Sequence, residues 1–243
     1  ILRGRWLPFT RRYRVPGMAT LILRSTEIGT LAQSRQRGDR ADLLIMESTY
    51  GDRDHRPITE TIDELTDVFE SARASQGNVL IPAFTVGRTQ DLLYLMAEHY
   101  EQWNLGKWKI FLDSPMGISA TKVYSQFRHL FAATLFEPKT DYPDLPNLFA
   151  TRTVEESMAI NEMEAGAIII AGSGMCTGGR ILHHLKNNVW RPQCHVVIVG
   201  YQAIGTLGRS ILDGAEQVRI LGQKYPVQAR IAQIGGFSAH ADK

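Results

Sequence analysis

The sequence predicts an α/β fold in which helices cover both faces of a parallel sheet, and three observations carry that prediction. From Ala41 onward, short β-branched apolar runs alternate with segments of helical periodicity. Most of those runs are apolar throughout, as strands are when both their faces are buried. Turns rich in Gly, Ser, Thr or Pro separate them. Strands are predicted at residues 42–46, 78–83, 109–112, 167–171 and 195–199, with two further ones at 217–221 and 228–233. Helices are predicted over residues 57–75, 88–100, 114–131, 153–165 and 179–186, with Thr85, Ser114 and Thr177 as capping-type residues at their starts. Residues 136–148, which include Pro138, Pro143 and Pro146, read as a loop or an irregular crossover.

A chain of 243 residues, 44% of them hydrophobic, can bury one large core or two small ones. Its longest apolar run, residues 165–171, falls well short of the roughly 18 residues of a membrane span. The two cysteines, Cys176 and Cys194, are too far apart in sequence for a zinc knuckle and too few for a disulfide framework, which favours a reducing cytoplasm. The opening residues show neither an initiator Met nor a signal-peptide pattern, so the expectation is a chain that begins inside a longer protein and carries no secretion signal. The net charge is only +2, but residues 1–40 hold nine arginines against two acids, Glu27 and Asp39. That basic end reads either as an arm for phosphates or as an atypical terminus.

Open parallel sheets bind ligands outside the carboxyl ends of their strands, so the turns are the places to look. Glu47 closes the first predicted strand, where a carboxylate orients a histidine, activates a water, or simply caps a helix. Thr85 and Arg88 flank a helix start, whose free N–H groups favour an anion; capping by Thr85 beside a surface arginine is the alternative. The glycine-rich residues 172–180 let backbone approach a ligand closely, and Ser173, Gly174, Thr177, Gly178 and Arg180 are its candidate phosphate contacts. The segment is neither a Walker loop nor a dinucleotide fingerprint, which argues against ATP and NAD. The adjacent His183 and His184 point to different faces of a helix and are not a metal pair. Tyr201 stands in another strand-end loop, placed either to stack on a base or to pack, and His240 offers a general acid or a phosphate partner.

Five blocks in this order resemble the β-CASP branch of the metallo-β-lactamase fold. They are Glu47-Ser48-Thr49-Tyr50-Gly51; Pro82-Ala83-Phe84 leading to Gly87-Arg88; Asp113-Ser114-Pro115-Met116; Ser173-Gly174-Met175 with Gly178-Gly179-Arg180; and Gly236-Phe237-Ser238-Ala239-His240-Ala241-Asp242. The resemblance runs from about Ala41 to Asp242. It implies a β-CASP domain with a parallel sheet flanked by helices, plus part of a metallo-β-lactamase αββα domain. The implied divisions are an atypical Arg-rich remnant at 1–40, the edge of the metallo-β-lactamase domain at 41–56, the β-CASP domain at 57–190, and a truncated return to the first domain at 191–243.

By the same resemblance the expected activity is zinc-dependent hydrolysis of RNA phosphodiester bonds, with Glu47 and His240 catalytic and Thr85, Arg88, the 172–180 loop and Tyr201 binding substrate. Two zinc ions are expected for an intact family member, held by an H-x-H-x-D-H motif, a further upstream His, a Ser-Gly-Asp aspartate and a later His-Gly-Glu histidine; none of these motifs occurs here, so no metal ligand is assigned. The alternative is a catalytically inactive RNA-binding module of the same family. RNA is the expected partner and a membrane is not; self-association into a homo-oligomer is left open.

Overall fold

The computed structural model describes residues 56–127 and 144–237, Asp52 and Asp54, and the backbone of two short strands, β1 (Met18–Ala19) and β2 (Leu43–Leu44), which pair in parallel. The rest of the strand expected at 42–46, residues 128–131 of the third predicted helix and most of the 136–148 crossover lie outside the described residues. The main body runs α1 (Ile58–Ala74), β3 (Val79–Pro82), α2 (Arg88–Glu98), β4 (Lys109–Asp113), α3 (Pro115–Gln126), β5 (Leu148–Ala150), α4 (Val154–Ile160), β6 (Ala167–Ala171), α5 (Ile181–Asn188), β7 (His195–Ile198) and α6 (Leu207–Leu212). The hairpin of β8 (Gln217–Ile220) and β9 (Gln223–Pro226) follows, and then β10 (Arg230–Gln233).

Six strands form one wholly parallel sheet in the order β10-β7-β3-β6-β4-β5. Because side chains alternate along a strand, each central strand feeds two cores. Val79, Ile81, Ile110, Leu112, Ile168 and Ile170 pack with Leu65 and Phe69 of α1 and Leu92, Leu93 and Met96 of α2. Leu80, Phe111, Ile169, Val196 and Ile198 face the other way, onto Ile181 and Leu185 of α5 and Ile211 of α6. Strands β3, β6 and β7 are buried at every position, whereas the edge strands β5 and β10 are half-buried to exposed. That gradient is why the central strands read as unbroken apolar runs. The division expected at residue 190 falls between β6 and β7, and β7 pairs directly with β3.

Some local features differ from expectation. Gly87, at φ +88°, stands at the N-cap of α2 in place of Thr85, and its N–H donates to Gln90 Oε1 at 2.8 Å. Helix α5 starts at Ile181 behind Arg180, so Thr177 lies within the preceding loop rather than at a cap. The strand at 217–220 pairs with β9 in a hairpin closed by Leu221 and Gly222, both at positive φ, the geometry of a type I′ turn. Ser114 does cap α3, accepting from Gly117 N–H at 3.1 Å with Pro115 behind it in the first turn.

The turn from α1 into β3 leaves no room for a side chain at Gly77: a Cβ there would lie 1.7 Å from the Gln193 carbonyl oxygen, a backbone atom that cannot swing aside. Gly77→Ala is therefore expected to destabilise the fold by about 1–3 kcal/mol, read as a lower denaturant midpoint at unchanged slope; an unaltered midpoint would contradict this packing.

Candidate functional site

Strands β3 and β6 are neighbours, but the chain leaves them toward opposite faces, into α2 on one side and α5 on the other. Neighbouring strands whose connections part in this way open a crevice at their carboxyl ends, the usual ligand position in open α/β sheets. Three turns converge there. Ala83 N–H donates to the Ala171 carbonyl at 3.0 Å, which ties the turn after β3 to the glycine-rich loop after β6. Gln202, 2% exposed, donates its amide to Gly174 O at 2.8 Å and Gly200 O at 3.1 Å, and Gly208 N–H donates to Met175 O at 3.2 Å; these tie that loop to the one after β7.

Within the 172–180 loop, Ser173 Oγ accepts the Thr177 N–H at 2.9 Å and lies 3.2 Å from Thr177 Oγ1, while Ser173 N–H donates to Gly178 O at 3.2 Å. The Thr177 side chain is exposed. Thr85 borders the loop, since a Cβ built on Gly172 would come 3.7 Å from its hydroxyl. Tyr201, in the third loop, is 56% exposed. The structure thus gathers Thr85, Ser173, Gly174, Thr177, Gly178 and Tyr201 at one edge of the sheet; Gly174 is buried there, and the hydroxyls of Thr85, Ser173 and Thr177 and the Tyr201 ring are partly or fully exposed.

The two arginines of the expected set point inward. Arg180 donates from Nη1 to Asp113 Oδ1 at 2.6 Å and to Thr151 O at 3.2 Å, and from Nη2 to Arg152 O at 2.7 Å. Arg88 donates from Nη2 to the carbonyl of Phe237, lies 3.3 Å from Asp91, and stacks over the Phe237 ring with its guanidinium carbon 4.9 Å from the centroid. Thr61 Oγ1 donates to Gly235 O at 2.9 Å. Together, Arg88 and Thr61 clamp the segment that ends three residues before His240. Glu47 and His240 themselves lie outside the described residues.

Asp113, which the sequence reading left without a role, is the centre of the buried polar cluster. It closes β4 with no exposed surface and takes four donors. Thr151 Oγ1 at 2.5 Å and Arg180 Nη1 reach Oδ1; Ser157 Oγ at 2.6 Å and His184 Nε2 at 2.7 Å reach Oδ2. His184 is fully buried, with Nδ1 against Asn161 Oδ1 at 2.9 Å, while His183 beside it faces solvent. Burial by itself raises the Asp113 carboxyl, but the hydrogen bonds from His184, Ser157, Thr151 and Arg180 outweigh it and hold the group far below the usual carboxylate range. An acid closing an apolar strand ahead of a capping Ser was visible in the sequence; its four partners were not.

With both oxygens saturated, Asp113 has no lone pair to spare for a metal. Among the described residues no group of three or more His, Cys, Asp and Glu side chains is placed to hold one, so the described part of the chain does not fit the two zinc ions implied by the resemblance.

Because the folded carboxyl stays ionised where the unfolded one, near its ordinary 3.8, takes up a proton, its stabilisation is complete above about pH 5 and drains away as pH falls below about 4. Asp113→Asn strands Arg180 and is expected to cost about 3–5 kcal/mol at neutral pH. The variant should also lose part of the wild-type acid dependence of stability. Parallel acid-unfolding profiles for the two proteins would refute the assignment.

A family model described as the Beta-Casp domain matches residues 89–211, just over half of the chain. The sequence is 36% identical to a ribonuclease of Thermus thermophilus, an alignment that takes in 97% of this chain and 58% of that protein. It is 32% identical to an RNase J-like protein of Methanocaldococcus jannaschii over 84% of this chain and 47% of the relative. It is 33% identical to the transcription termination factor FttA of Pyrococcus abyssi over 84% of this chain and 33% of the relative. The chain therefore spans between a third and three-fifths of the length of these curated relatives. With the six-stranded parallel sheet, its flanking helices and the glycine-rich turn at the carboxyl edge, the match establishes that this chain belongs to the Beta-Casp family, a branch of the metallo-β-lactamase fold.

Proposed function

We propose that this chain grips single-stranded RNA for hydrolysis of its phosphodiester bonds. The observation that carries the reading is the meeting of the hydroxyl-bearing 172–180 loop with the turn after β3, at the carboxyl edge of the sheet where the connections of β3 and β6 diverge. Backbone amides and hydroxyls in such a loop make a concavity suited to a phosphate. The ribonuclease and RNase J-like names of two relatives support RNA as the substrate.

In this reading Ser173, Gly174, Thr177 and Gly178 hold a phosphate with Thr85 beside them. Arg88 and Arg180 shape the site from within. Glu47 accepts a hydrogen bond from His240, which stabilises the imidazolium, and His240 donates a proton to the leaving oxygen. The clamp of Arg88 and Thr61 on residues 235–237 gives the His240 segment a fixed origin. Hydrolysis by an intact member of the family is expected to depend on two zinc ions. The sequence has no H-x-H-x-D-H motif, which supports a second reading, an RNA-binding module without catalysis. Cys176 and Cys194 are free and buried, which supports a reducing, cytoplasmic setting; no helix among the described residues is long and apolar enough to cross a membrane.

Glu47→Gln combined with His240→Ala is expected to lower RNA cleavage by about 10²-fold or more without moving the thermal midpoint, and retained cleavage would remove both residues from the mechanism. Ser173→Ala with Thr177→Val should weaken RNA binding several-fold by anisotropy while the fold persists. Cleavage measured with and without a chelator, beside elemental analysis, separates the two readings: chelator-sensitive cleavage supports the enzyme, and RNA binding with neither metal nor cleavage supports the binding module.

A further inference from the structure

Phe84 opens the turn after β3 and is 41% exposed, though burial of a phenyl ring is strongly favourable. Its ring lies against the backbone of two neighbouring loops. A Cβ added to Gly174 would come 2.8 Å from the ring, closer than real Cβ atoms approach, and one added to Gly200 would come 3.6 Å from it. Glycine at 174 is what lets the ring rest so closely on bare backbone, while at 200 a side-chain carbon would meet the ring at ordinary contact distance. The ring's root is also held, since Phe84 O accepts from Thr89 N–H at 3.2 Å and from Thr89 Oγ1 at 2.8 Å. The result is an aromatic ring seated against peptide yet 41% exposed, standing at the carboxyl edge of the sheet between the turns after β3 and β6.

Gly174 is flanked by Ser173, whose hydroxyl meets the Thr177 amide, so the ring's seat and the candidate phosphate loop are the same stretch of chain. Tyr201, 56% exposed, follows Gly200 directly. A flat apolar surface beside a loop of amides and hydroxyls matches the two ends of a nucleotide, its base and its phosphate. We propose that Phe84 is a stacking platform for an unpaired nucleobase of the strand whose phosphate lies on the Ser173–Thr177 loop, with Tyr201 as a second aromatic wall. This assignment rests on the RNA reading above and deepens it. Stacking requires an open base face and tolerates any base, so the platform selects single strands over duplexes and imposes no sequence.

The test is fluorescence anisotropy with the 243-residue chain and two single-stranded oligoribonucleotides of equal length and charge, one carrying bases and one abasic. The wild type is expected to bind the base-bearing strand at least about five-fold more tightly. Phe84→Leu should erase that preference without changing affinity for the abasic strand, and Phe84→Trp should keep it. Equal wild-type affinity for the two strands, or an undiminished preference in Phe84→Leu, overturns the platform and leaves the RNA reading standing. Failure of the wild type to bind either strand overturns both. The wild-type comparison needs no variant, so the test holds whatever Phe84→Leu does to folding.

Discussion

A carboxylate with no exposed surface is tolerated only when its oxygens are met by donors, and Asp113 is met by four. Those donors come from different parts of the chain: Thr151 beyond β5, Ser157 in α4, Arg180 at the end of the glycine-rich loop and His184 in α5. The carboxylate therefore joins the end of β4 to the β5–α4 unit and to the start of α5. It also pins one end of the 172–180 loop, whose other end emerges from the fully buried β6. The shape of the loop at the crevice follows from that double anchorage. A guanidinium at Arg180 is what balances the buried charge, which is why it is not turned outward to a ligand.

The same economy governs the opposite wall. Arg88 stands at the first residue of α2, where an anion would be welcome, yet its guanidinium is occupied by the Phe237 carbonyl and ring. With both arginines committed inward, the edge of the sheet presents hydroxyls, amides and aromatic rings in place of bare cations. Such a surface suits a phosphate through fixed dipoles and, in the reading proposed above, a nucleobase through its aromatic rings. The tie of Arg88 and Thr61 to residues 235–237 also brings the last described turn back against α1 and α2.

Much of the sheet was legible in the residues. A central parallel strand must be apolar on both faces, and this is why residues 167–171 were predicted and observed with the same limits, and why β3, β4 and β7 fall within a residue or two of expectation. The five ordered blocks carried the family, which the Beta-Casp match over residues 89–211 bears out. Elements too short to display a period leave little trace in the sequence: β5 has three residues, half-exposed to exposed, and α6 has six, marked chiefly by the Thr206 cap.

The sequence by itself determined the α/β class, the family and the turns in which polar groups collect, because apolar periodicity and glycine placement are local properties that neighbouring residues enforce. The direction of each polar side chain was decided only by the tertiary structure. Asp113 meets partners 38, 44, 67 and 71 residues away, and Arg88 meets a carbonyl 149 residues away. A guanidinium or a carboxylate turns to whatever acceptor or donor the fold brings within about 3 Å. That choice belongs to the packing of distant segments, as does the seating of Phe84 on two glycines from separate loops.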